Sequence, residues 1–128
     1  MHGQEHTKVF LMKNGKLFRY INWTKRFSVL NNLFINYAKL TRGNPSHDIH
    51  FIKTMNIRDE INGVDTAIIL SQNENTNRTL WEVGYMLENM FLQAKSLNIS
   101  YASKIFNYNE IKKIENEGIR GAVAALLL

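Results

Sequence analysis

The chain has 128 residues, 16 Lys and Arg against 11 Asp and Glu, and no cysteine. That length is one domain, spanning 1–128, with room for a real core. The lack of cysteine excludes a disulfide framework, a thiolate nucleophile and a cysteine metal site.

The net charge of +5 is unevenly placed: between Lys8 and Arg42 there are eight basic residues and no acidic one. Such a field attracts the phosphates of a nucleotide, a flavin or a nucleic acid, or is simply a solvated basic face. No apolar run reaches the ~20 residues needed to span a bilayer. The first six residues, Met1 to His6, hold no apolar signal core. A soluble, cytoplasmic protein is expected.

Residues 8–13 form a β-type run. Asn14-Gly15 follows, the two-residue signature of a type I′ hairpin, whose central positions both need φ > 0. Residues 16–21 alternate polar and apolar as a half-buried strand does. Thr24 or Ser28 caps a helix on which Val29, Leu30, Leu33, Phe34, Tyr37 and Leu40 recur at helical spacing, and Gly43-Asn44-Pro45-Ser46 ends it. Residues 49–55 read as a strand or an irregular crossing, and 57–61 as a short helix. Residues 65–71 are continuously apolar, the pattern of a central strand buried on both faces.

After a polar loop, Asn77 or Thr79 caps a long helix with the stripe Leu80, Val83, Leu87, Met90, Phe91, Ala94 and Leu97. A second apolar set, Trp81, Tyr85, Met86 and Leu92, widens that stripe. A helix apolar nearly all round is buried by two neighbours, and a second subunit is the expected other one. Residues 99–102 read as strand or loop. Residues 109–117 read as a short polar helix stopped by Gly118. Residues 122–128 read as a last buried strand, although their Ala and Leu content also suits a helix.

Several groupings are weaker. His47-Asp48-x-His50 could lend three metal ligands, yet nothing supplies a fourth, and no metal is expected. Glu82 and Glu88 fall on different helix faces and do not form an acid/base pair; Glu82, read as first-turn, favours the helix dipole. Gly118-Ile119-Arg120-Gly121 lacks the third glycine of a dinucleotide fingerprint. Phe10, Phe18, Tyr20 and Trp23 interleave with Lys8, Lys16, Arg19 and Lys25, a mix that can bind single-stranded nucleic acid, but in a hairpin Phe10 and Phe18 face the core. Nucleic acid is therefore the less favoured partner.

The segment 81–99 resembles the helix of the nitroreductase-like FMN flavoproteins, acidic-x-Gly-x4-Asn-x2-Leu-x-Ala-x2-Leu-Gly-Leu. Glu82, Gly84, Asn89, Leu92, Ala94, Leu97 and Ile99 stand at those places, and Asn98 replaces the usual glycine. The strand before it is similar to the family's, at the right distance upstream. Gly3, His6, Val9, Gly15-Lys16-Leu17-Phe18-Arg19-Tyr20 and Leu30 resemble positions of the azoline-dehydrogenase branch.

The resemblance implies an α+β fold: a mixed or antiparallel sheet of four to five strands with a long central helix, in an intertwined homodimer. It implies FMN as cofactor and hydride transfer through it, with no catalytic side chain required. By position, Ser103, Lys104 and Ile105 would cross the flavin ring through their backbone, and His6 would lie in the cofactor site. The family's arginine-bearing first helix and C-terminal extension, which hold the phosphate, have no counterpart in these 128 residues. A partner chain, or Lys8, Lys13, Arg19 or Arg26, would then take their place. The alternative is a non-enzymatic dimerisation or partner-binding domain on the same fold.

Overall fold

The computed structural model describes residues 7–20, 49–72, 77–96 and 98–128. Six strands form one sheet: β1 (Thr7–Lys13), β2 (Lys16–Tyr20), β3 (Ile49–Thr54), β4 (Thr66–Gln72), β5 (Ala102–Ile105) and β6 (Ala122–Leu127). Their spatial order is β3-β2-β1-β4-β6-β5, and every pairing is antiparallel. Two helices are described, α1 (Asn77–Ser96) and α2 (Tyr108–Glu117).

β4 is the interior strand the apolar run predicts, with all seven of its residues buried. Its side chains alternate between two cores. Ile68 and Leu70 join Val9, Leu11, Ala124 and Leu126 beneath Val83, Met86, Leu87, Met90 and Ala94 of α1. Ala67 and Ile69 join Met12, Leu17, Ala125 and Leu127 on the other face, where Met55, Ile57 and Ile61 of a turn-rich loop and Ile114 of α2 close over them. The first face is the α1 face and the second the α2 face.

The Asn14-Gly15 hairpin is as expected, with φ of 51° and 78° at its two central residues. Residues 57–61 form turns rather than a helix. The expected helix over 29–40 lies outside the described residues.

The expected mixed or antiparallel sheet of four to five strands with a long central helix is corrected in two ways. The sheet has six strands, all antiparallel, because residues 49–54 pair along β2 and residues 102–105 pair along β6. And α1 is not central: it packs on one face of the sheet, with Trp81, Tyr85 and Leu92 exposed at 70%, 49% and 64%. At 3.6 residues per turn these three fall opposite Val83, Met90 and Ala94, so a single sheet face cannot reach them. Met86, grouped with them from the sequence, turns inward and is buried.

Both helices end by the same device. The Ile99 N–H donates to the Ala94 carbonyl and the Asn98 N–H to that of Lys95, with Asn98 left-handed at φ 58°. The Ile119 N–H donates to Ile114 and the Gly118 N–H to Glu115, with Gly118 at φ 131°. This pairing satisfies carbonyls that a helix end leaves orphaned. It also explains why β5 starts three residues later than the sequence suggested: 99–101 are spent leaving the helix.

At the join of β4 and β6, Leu70 faces Ala124 but Ser71 faces Ala122, so Val123 is the extra residue of a bulge. Gly121 precedes it at φ +74°, and a Cβ there would lie 2.1 Å from the Gln72 carbonyl oxygen. The Gln72 N–H donates to the Gly121 carbonyl at 2.9 Å. Only glycine tolerates both the dihedral and the approach. Gly121→Ala should therefore lower stability by about 2 kcal/mol or more, through strain and displacement of backbone. Urea unfolding checks this; an unchanged midpoint would contradict the close approach.

Candidate functional site

The residues that the sequence singles out for a cofactor meet different fates. Ser103, Lys104 and Ile105 lie on β5, an edge strand of the sheet, and not in a loop. The Phe106 N–H donates inward to Val123. Hydrogen-bonding direction alternates along an antiparallel strand, so the Lys104 amide also points at β6, while those of Ser103 and Ile105 point outward. The side chains of Ser103 and Ile105 are exposed on the α1 face, Ile105 at 67%. His6 lies outside the described residues.

The Lys104 side chain turns to the α2 face and is committed there. Its Nζ forms an ion pair with Glu110 Oε2 and donates to Asn62 Oδ1 at 2.9 Å. Glu110 completes a capping box: its Oε1 accepts from the Asn107 N–H, and Asn107 Oδ1 accepts from the Glu110 N–H, both at 2.9 Å. This cluster fastens β5, the start of α2 and the 57–64 turn together. With the ammonium so engaged, Lys104 does not fit the part of a phosphate clamp. The outward amides of Ser103 and Ile105 have no partner strand among the described residues.

The basic residues suggested as a substitute clamp lie elsewhere. Lys8 and Lys13 are on β1 and Arg19 on β2, while Arg26 lies outside the described residues. From β5 to β1 is three strand spacings, roughly 14 Å, and from β5 to β2 four, roughly 19 Å. None of the described cations is on a strand next to β5.

On the outer side of α1, Trp81 and Tyr85 stack with centroids 6.0 Å apart. With Gly84, Glu88 and Asn89 they line a shallow groove of about 470 Å³. Nothing approaches within 4 Å of the place a Gly84 side chain would occupy. Asn89 donates its amide to the Tyr85 carbonyl of its own helix at 3.0 Å. Phe91 stacks on Tyr101 at 5.0 Å and ties α1 to the approach of β5.

Glu82 is not in the first turn of α1, which begins at Asn77 and carries no acidic residue there, so its expected dipole role does not hold. His50 is exposed on β3, and no group of three or more metal-ligating side chains occurs among the described residues. Gly118 and Gly121 serve a helix end and a bulge. Among the described residues no helix is long and apolar enough to cross a membrane. Comparison with protein-family models, with curated proteins and with solved structures returned no match.

The Lys104–Glu110 tie has a pH signature. The Asn107 N–H first, and the Lys104 ammonium second, hold the Glu110 carboxyl below its ordinary value. A carboxyl depressed in the folded state contributes stability that is present above its unfolded value of about 4.3 and lost as pH falls through the folded one. The wild type should thus exceed Glu110→Gln in thermal stability near neutral pH and lose that margin in acid. A margin that does not change with pH would contradict the tie.

Proposed function

We propose that the chain is an FMN-dependent oxidoreductase of the nitroreductase-like kind, acting as a cytoplasmic homodimer. The observation that carries this reading is the pair of outward amides on Ser103 and Ile105, at the positions the resemblance assigns to the flavin ring. A second feature supports the alignment itself. Asn98 stands where the resembling helix has glycine, and it holds the left-handed conformation that glycine or asparagine takes most readily.

FMN, when bound, supplies the hydride chemistry. The chain's part is to hold the ring edge by fixed backbone donors, whose dipoles need no reorganisation as charge develops. Lys104 is a positioning residue: through Glu110 and Asn62 it sets β5 against α2 and so fixes where those donors point. In this reading the cation for the phosphate comes from a second chain or from segments outside the described residues.

A second reading, a partner-binding domain without cofactor, is favoured by the outer face of α1. Trp81, Tyr85 and Leu92 are large apolar groups left in water, the usual mark of an interaction surface. Gly84 among them costs helix stability of about 1 kcal/mol relative to alanine with no packing gain inside the chain.

One titration separates the two. Purified protein is titrated with FMN while visible flavin absorption, fluorescence quenching and mass by light scattering are followed. The first reading predicts saturable uptake by a dimer. Absence of FMN uptake would overturn it: a dimer would then favour the second reading through self-association, and a monomer would leave the outer face of α1 to a different partner.

A further inference from the structure

Beside the β1–β2 hairpin turn, the core of the α2 face is not closed to solvent. A cavity of about 260 Å³ opens there, between the turn and the loop that follows β3. Its floor is Met12 of β1 with Met55, Ile57, Ile61 and Val64 of the loop. All but Val64 are buried core residues of this face, and Val64 packs against them. The walls are fixed by backbone. The Asn14 N–H donates to the Asp65 carbonyl at 2.8 Å, and the Met55 N–H to the Gly15 carbonyl at 2.9 Å. Both ends of the loop are thereby fastened to the turn. Within the loop, the Gly63 N–H donates to the Arg58 carbonyl at 2.7 Å.

Two opposite charges line the same cavity, and they meet: Arg58 Nη1 donates to Asp65 Oδ1 at 3.0 Å. Both side chains stand mostly in water, at 63% and 65% exposure, where an ion pair adds little to stability. Neither group is used up by the contact. It engages one nitrogen of the guanidinium and one oxygen of the carboxylate. The rest of the guanidinium fork and Asp65 Oδ2 remain able to bind a third group. A fixed apolar floor thus lies under a rim that offers a cation and an anion side by side.

We propose that this cavity binds a free α-amino acid with an apolar side chain. Size sets the class. Small-molecule sites run upward from about 300 Å³, so this cavity suits a ligand of amino-acid size and not a nucleotide or a flavin. The floor, made of aliphatic groups and thioethers, takes an apolar side chain, and its two methionines can shift to fit the shape that enters. The rim selects the head group. A simple carboxylate would meet Arg58 but also the charge of Asp65, and a simple amine would meet the reverse. A zwitterion gives each its complement: its carboxylate accepts from the Arg58 guanidinium, and its ammonium donates to Asp65 Oδ2. The site shares no residue with those assigned to the flavin and does not rest on that reading.

The test is calorimetric titration of the whole chain with L-leucine and L-phenylalanine at neutral pH and fixed salt. Saturable binding of at least one of them is expected. Its amide, which lacks the carboxylate, and its N-acetyl form, which lacks the ammonium, should each bind at least tenfold more weakly. Glycine, which leaves the floor empty, should not bind at the same concentrations. These analogues test the site on the wild type, without any substitution. Arg58→Gln and Asp65→Asn, each first checked for an unaltered thermal melt, should also weaken binding at least tenfold. Lys95→Gln, which removes one exposed charge from α1, should change nothing. No binding of either amino acid by the wild type would overturn the proposal. So would equal binding of the amide or the N-acetyl form, or a loss in Lys95→Gln as large as that in Arg58→Gln.

Discussion

Seven consecutive residues of β4 are buried, and that one fact constrains the rest of the molecule. A strand hidden on both faces needs a hydrogen-bonded neighbour on each edge and a cover on each side, because neither its backbone groups nor its side chains can be left to water or vacuum. β1 and β6 supply the edges. α1 supplies one cover, and α2 with the 55–64 loop supplies the other. Chain order follows: β1 and β6, which pair with β4, come from far apart in the sequence. The bulge at Val123 and the glycine before it are the local adjustment that lets β6 lie against β4 while the chain turns out of α2.

The outer strands then divide the surface by function. β5 and β6 carry outward amides and mostly apolar side chains, with their one lysine, Lys104, paired to Glu110. β1 to β3 carry Lys8, Lys13, Lys16, Arg19 and Lys53 and no acidic residue. β4 lies between these regions, and β5 is three strand spacings, roughly 14 Å, from β1. In the proposed homodimer, a second chain seated on the outer face of α1 would bury Trp81, Tyr85 and Leu92, which are exposed in the single chain.

Much of this was legible in the residues. Asn14-Gly15 dictates a type I′ turn by its φ requirements alone, and the apolar run from Thr66 can only be an interior strand. Gly118 stops α2 where expected. Other features depend on tertiary contacts that periodicity does not encode. Residues 49–54 mix Ile, Phe and Thr with His and Lys, and only pairing with β2 makes them a strand. The width of the apolar surface on α1 shows how many neighbours the helix wants, not that the sheet reaches just one side of it. The commitment of Lys104 was invisible because its partners, Asn62 and Glu110, are 42 residues before and 6 residues after it in the chain. Asn107 with Glu110 three residues on is a capping-box spelling that could have been read directly, and would have placed the helix start one residue earlier.

Hydrogen exchange resolved by residue tests the primacy of β4 most directly. Protection follows the free energy of the opening that exposes each amide, and an interior strand covered on both faces opens only with the whole domain. Amides of Ala67 through Leu70 should be the slowest in the described chain, exchanging at the rate of global unfolding, with the outward amides of Ser103 and Ile105 among the fastest. If the β4 amides exchange as readily as those of β3 or β5, the strand is not the spine around which the sheet, its two covers and its two surfaces are organised.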